Sequence, residues 1–136
     1  MDSFAELLSW AHHHGGLRQR LRPITPEELK RALDKGEAIA VIDLRHPLDF
    51  LPDPRVIPGA IRISPEEIAN RHQEIPRDRD VVLYCTCPSE STSRDVAALL
   101  SARGITRVRP LVGGFQGWRL RGYPLVELQS SAASGT

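Results

Sequence analysis

The chain has 136 residues, of which 40% are hydrophobic and 26% charged, and its formal net charge is +1. That is room for one domain with its own core, and too little excess charge to argue for a nucleic-acid partner. Two cysteines in a C-x-C pair exclude a secreted disulfide framework and favour a reducing setting. No apolar run approaches the ~20 residues that span a bilayer, and the N-terminus lacks the pattern of a signal peptide. The chain is therefore expected to be soluble and cytoplasmic.

Residues 1–22 read as an N-terminal appendage or linker. Phe4, Leu7, Leu8 and Trp10 suit one side of a short helix, but His12, His13, His14, Gly15 and Gly16 break it, and Arg18, Arg20 and Arg22 follow. The histidines have no Cys, Asp or Glu at ligand spacing, so a polar turn is the better reading than a metal site. The domain proper is placed at 23–128, with 129–136 as a flexible tail. Thr25-Pro26-Glu27-Glu28 and Ser64-Pro65-Glu66-Glu67 each combine a hydroxyl cap, a proline at the first helical position and a capping-box glutamate. They predict helices ending at Gly36 and near Ile75-Pro76.

Between and after them, Ile39 to Ile42, Val81 to Tyr84 and, more weakly, Thr106 to Arg109 read as strands. Apolar runs of this length, separated by helices, suit strands buried on both faces of a parallel sheet. Ligands in such sheets gather at the carboxyl ends of the strands. Three polar clusters fall there: Asp43 to His46, Cys85 to Ser91, and Gly113-Gly114.

Cys85 ends one of these strands and precedes a helix whose face repeats Ser93, Val96, Ala97 and Leu100 and which stops at Gly104. Thr92 with Asp95 offers a further capping box. A loop of small hydroxyl residues ahead of a helix N-terminus aims backbone N–H groups and partial positive charge inward, favouring a thiolate. Spacing alone leaves a reactive and a buried structural cysteine evenly balanced.

Ala40-Val41-Ile42-Asp43-Leu44-Arg45, Val56-Ile57-Pro58-Gly59-Ala60-Ile61, Val82-Leu83-Tyr84-Cys85, and Gly113-Gly114-Phe115-Gln116-Gly117-Trp118 with Gly122-Tyr123-Pro124 stand in the order of four rhodanese-domain motifs. From Thr25 to Val126 the chain resembles that sulfurtransferase family. Cys-x-Cys-Pro-x-Glu followed by Arg107-Val108-Arg109-Pro110-Leu111 resembles rhodanese domains appended to DedA-type membrane proteins, which implies association with a membrane protein. The resemblance implies an α/β three-layer sandwich with a mainly parallel, about five-stranded central sheet. It implies Cys85 as a persulfide-forming nucleophile, with Thr86, Cys87, Pro88, Ser89, Glu90, Ser91 and Thr92 as its substrate-binding loop and Asp43 and Arg45 in support. It further implies a monomer that needs no metal or organic cofactor, a small sulfur donor, and a thiol (a protein thiol included) or cyanide as acceptor.

The sequence departs from the family pattern in three places around the cysteine. Pro88 stands where glycine is common and removes an N–H from the loop. Glu90 stands where arginine is common and disfavours an anionic donor such as thiosulfate, unless Arg45 or Arg94 neutralises it. Cys87 is open to two readings, a resolving thiol or a small packed residue. Val56 replaces a histidine, with a structural consequence expected. A buried ion pair is the favoured reading of Asp43 and Arg45, and core packing that of Phe115 and Trp118. Two other functions compete: a non-catalytic binding or regulatory module, and a phosphatase or arsenate reductase. The latter needs a Cys-x5-Arg loop, and Ser91 occupies the arginine position here.

Overall fold

The structure, a computed structural model, describes residues 22–86 and 91–128. The expectations for the appendage, the tail and Cys87 to Glu90 lie outside the described residues. Thr25 caps α1 (Pro26–Asp34): its hydroxyl accepts from the Glu28 N–H at 3.0 Å while Glu28 accepts from the Thr25 N–H at 2.9 Å. The helix closes at Lys35, and Gly36 follows at φ +72°. β1 (Ile39–Asp43) leads into a one-turn helix α2 (Pro47–Phe50), then β2 (Arg55–Val56) and β3 (Ile61–Arg62). β4 (Asp80–Tyr84), α4 (Ser91–Ala102), β5 (Val108–Pro110), α5 (Gly114–Leu120) and β6 (Val126–Glu127) follow, with α3 (Ile68–Arg71) between β3 and β4.

The second capping box opens a broken element rather than one helix. Glu67 accepts from the Ser64 N–H and hydroxyl at 3.1 Å each, but a 3-10 turn (Pro65–Glu67), α3 and a second 3-10 turn (His72–Glu74) follow in series. Within Pro65–Glu74 only Ile68 and Ala69 are buried, too little apolar face to hold a regular helix in place. α4 begins at Ser91, so Thr92 lies within its first turn and is not its cap.

The central sheet runs β3-β1-β4-β5 with every pairing parallel, and β2 pairs antiparallel with β6 apart from it. Among the described residues the sheet has four strands where about five were expected; at its edge a single parallel bridge, Ile24 to Leu111, stands in for the fifth. Alternation along β1 and β4 sends side chains to opposite layers. Ala40, Ile42, Leu44, Val81, Leu83 and Cys85 pack with Val96, Ala97, Leu99 and Leu100 of α4 and with Ile68. Val41, Val82 and Tyr84 pack with Leu29 of α1 and with Phe115 and Trp118 of α5. Helices thus cover both faces, which makes the domain a three-layer α/β sandwich. No helix among the described residues is long and apolar enough to cross a membrane.

Candidate active site

Cys85 is the first residue beyond β4, at the carboxyl edge of the sheet, and only 2% of it is exposed. Its side chain continues the alternation of β4 into the α4 layer. There the hydroxyl of buried Ser93, in the first turn of α4, donates to the Cys85 Sγ at 3.6 Å. A hydroxyl donor and the N-terminal end of a twelve-residue helix both favour negative charge on that sulfur. The neighbouring Thr86 turns the other way: its hydroxyl donates to the Asp49 carboxylate at 3.1 Å, tying the loop to α2. Thr92 is half-buried in the first turn of α4.

The backbone of Cys85 is held from the α5 side. Its carbonyl accepts from the Phe115 N–H at 2.8 Å. The approach is so close that a Cβ on Gly114 would stand 2.3 Å from the Cys85 oxygen, and Gly114 has φ +57°. Steric space and backbone conformation both demand glycine there. Gly114→Ala is therefore expected to cost about 2–4 kcal/mol through its left-handed φ and the overlap. Urea unfolding of the variant beside wild type checks this, and an unchanged midpoint would contradict it.

Asp43 and Arg45 lie on the opposite layer from the Cys85 side chain. Both are buried, at 0% and 1% exposure, and the Arg45 Nη2 sits 2.9 Å from Asp43 Oδ2. The Arg45 N–H and Nε also donate to Asp43, while Nη1 and Nη2 donate to the carbonyls of Asp53 and Arg55 at 2.8 and 2.6 Å. Its guanidinium lies 3.9 Å over the Phe115 ring and 4.9 Å over that of Phe50. The Tyr84 hydroxyl bonds to Asp43 and accepts from the Ile57 N–H at 3.2 Å. Burial, reinforced by the Asp43 charge, pushes the Tyr84 phenol well above its ordinary range, so it stays a donor. The Arg55 guanidinium beside Asp53 lowers that carboxyl to about 2. Every donor edge of Arg45 is thus committed, and it is not a spare cation for the cysteine loop.

Phe115 and Trp118 are buried as expected, and Trp118 Nε1 donates to the Pro124 carbonyl at 2.8 Å. Sequence reasoning missed two residues. Ser93 reads as one position of a helical core stripe, and that stripe is what places it beneath Cys85. Asp49 sits on a four-residue helix that carries no strong periodic signal. Among the described residues no group of three or more His, Cys, Asp or Glu is placed to hold a metal.

Residues 25–121 match the Rhodanese-like domain family model. A sulfurtransferase of Allochromatium vinosum is 36% identical over 103 residues, 76% of this chain and 92% of that protein. An HTH-type transcriptional regulator of Mycobacterium tuberculosis, Rv0324, is 35% identical over 104 residues, 76% of this chain and 44% of the regulator. The crystal structure of a rhodanese-related protein from Thermoplasma volcanium superposes with a TM-score of 0.61 at 27% identity, covering 77% of this chain and 97% of that one. A match over most of the domain, with a cysteine at the strand–helix turn of the same three-layer fold, identifies the chain as a member of the rhodanese-like domain family.

Proposed function

We propose that the protein is a sulfurtransferase that carries a sulfane sulfur on Cys85. The observation that carries this reading is the Cys85 Sγ set against the Ser93 hydroxyl at the N-terminal end of α4. The Cys85 thiolate attacks the sulfane sulfur of a donor; the donor's bond to that sulfur breaks, and sulfite or a thiolate leaves. Cys85 is then a persulfide whose outer sulfur bears the negative charge. An acceptor thiolate or cyanide attacks that outer sulfur, and Cys85 departs as the thiolate. The cycle needs no external oxidant or reductant. Donor binding is assigned to the segment Thr86 to Thr92, whose backbone N–H donors, Pro88 lacking one, stabilise the charge on either sulfur. Glu90 in that segment makes an organic persulfide, less anionic than thiosulfate, the better donor.

Mass spectrometry of the intact protein after polysulfide treatment is expected to show the added mass of one sulfur, lost again on cyanide treatment. Thiosulfate is expected to load the protein more slowly than an alkyl persulfide does. A protein left unmodified by polysulfide, persulfide and thiosulfate alike would overturn the proposal. Ser93→Ala is expected to slow loading by about threefold to tenfold at neutral pH, the worth of one ordinary hydrogen bond, as suits a contact of 3.6 Å. Stopped-flow comparison with wild type reads this directly.

A second reading, sulfur sensing rather than transfer, draws support from the transcriptional regulator among the relatives. It uses the same Cys85 persulfide but predicts a single loading event, with no multiple turnover when donor and cyanide are both in excess.

A further inference from the structure

Three of the large apolar side chains left exposed among the described residues lie at the carboxyl end of the sheet, around Cys85. Leu48 on α2 is 73% exposed, Leu51, which caps that helix one turn on, is 69% exposed, and Val112 is 39% exposed on the turn from β5 to Gly114. α2 is also the element whose Asp49 accepts from the Thr86 hydroxyl, next to the cysteine. Residues three apart share one helix face, so Leu48 and Leu51 make a ridge. Cys85 itself is 2% exposed and lies at this same edge of the sheet, where ligands of parallel sheets gather. A small inorganic donor or cyanide has nothing to bury against leucine.

Among the described residues, the same rim carries a cation with no salt-bridge partner. Arg62 ends β3, in register with Asp43, and its guanidinium lies 4.4 Å over the ring of Phe50, one of the two residues between the leucines. Arg62 is half-buried; its Nη1 is buried without a hydrogen-bond partner, and it makes no ion pair among the described residues. Asp43 and Glu67 act on it only through space, since Asp43 is bonded to Arg45 and Tyr84 and Glu67 to Ser64 and Arg71. A partner bearing a carboxylate complements this surface, and one bearing a lysine does not.

We propose that the acceptor for the Cys85 sulfur is a protein thiol on a segment with an apolar side chain and a carboxylate, docked on the Leu48–Leu51 ridge with Arg62 facing the acid. This rests on Cys85 being a sulfur carrier. The partner's thiolate attacks the outer sulfur of the persulfide; the bond between Cys85 Sγ and that sulfur breaks, Cys85 leaves as thiolate, and the partner becomes the persulfide. Burial of one leucine-sized side chain on the ridge is worth about tenfold in transfer rate.

The probes are three capped tetrapeptides, Leu–Glu–Cys–Leu, Gly–Glu–Cys–Gly and Leu–Lys–Cys–Leu, offered to the full chain after polysulfide loading, with rates compared per thiolate. The first is expected to accept sulfur about tenfold faster than the second, and faster than the third. A Leu48→Ser/Leu51→Ser double variant is expected to load with polysulfide as wild type does and to lose the preference for leucine. Arg62→Gln is expected to lose the preference for glutamate over lysine. Equal rates for the first two peptides, or a double variant that keeps the preference, would overturn the docking proposal while leaving the sulfur carrier intact. A wild-type protein that never loads would instead overturn the carrier itself, before any peptide is added.

Discussion

A Cys85→Ser variant should fold like wild type and take up no transferable sulfur from any donor. The oxygen replaces a sulfur that is almost closed to solvent and already receives the Ser93 hydroxyl, so the new side chain has a hydrogen-bond partner waiting. The thermal midpoint is then expected to move by only a few degrees, the effect of about 1 kcal/mol in a domain of this size. Sulfur uptake has no such compensation, because an alcohol at neutral pH is not a nucleophile toward a sulfane sulfur. Intact-protein mass spectrometry after polysulfide treatment, with circular dichroism on the same sample, separates the two effects. If the variant still gains one sulfur that cyanide removes, the acceptor is Cys87 and the role given to Cys85 is wrong.

Arg45→Met should be the most destabilising conservative change near the site, at about 3–5 kcal/mol, the cost of breaking a buried ion pair from one side. Methionine retains much of the length that packs between Phe50 and Phe115. It leaves Asp43 charged at 0% exposure and the carbonyls of Asp53 and Arg55 without their donors. A small domain commonly has about 5–15 kcal/mol in total, so this one change removes much of the margin. Arg45→Lys is expected to be intermediate, since an ammonium keeps the charge but cannot span Asp43 and two carbonyls at once. Chemical denaturation of the three proteins checks the order. A methionine variant as stable as wild type would show that the pair is dispensable to the fold.

Much of the fold was legible because local chemistry repeats at fixed spacing. Thr25-Pro26-Glu27-Glu28 predicted the start of α1, and Gly36 its end, from capping alone. The unbroken apolar runs at Ile39 and Val81 predicted strands covered on both faces, which is how β1 and β4 lie at the centre of the sheet. The same logic overreached at Ser64-Pro65: the capping box is formed, but propagation fails where little apolar surface anchors the turns that follow. Among the described residues the fifth strand is reduced to one bridge, because Ile24 meets Leu111 just before Thr25 caps α1.

At the site, the chain's own order determined that Cys85 follows a buried strand, precedes a helix, and is surrounded in sequence by Cys87, Pro88 and Glu90. Only the tertiary structure decided which groups reach it. Ser93 comes beneath the sulfur because β4 alternation and the α4 core stripe face one another. Gly114 comes against the Cys85 carbonyl because α5 crosses from the other layer, 29 residues later in the chain. Arg45 faces away from the sulfur, bound to Asp43 and to carbonyls eight and ten residues on. Periodicity and capping act over a few residues, so they place the cysteine at the end of its strand. Its partners come from packing between segments far apart in the chain, which no local pattern encodes.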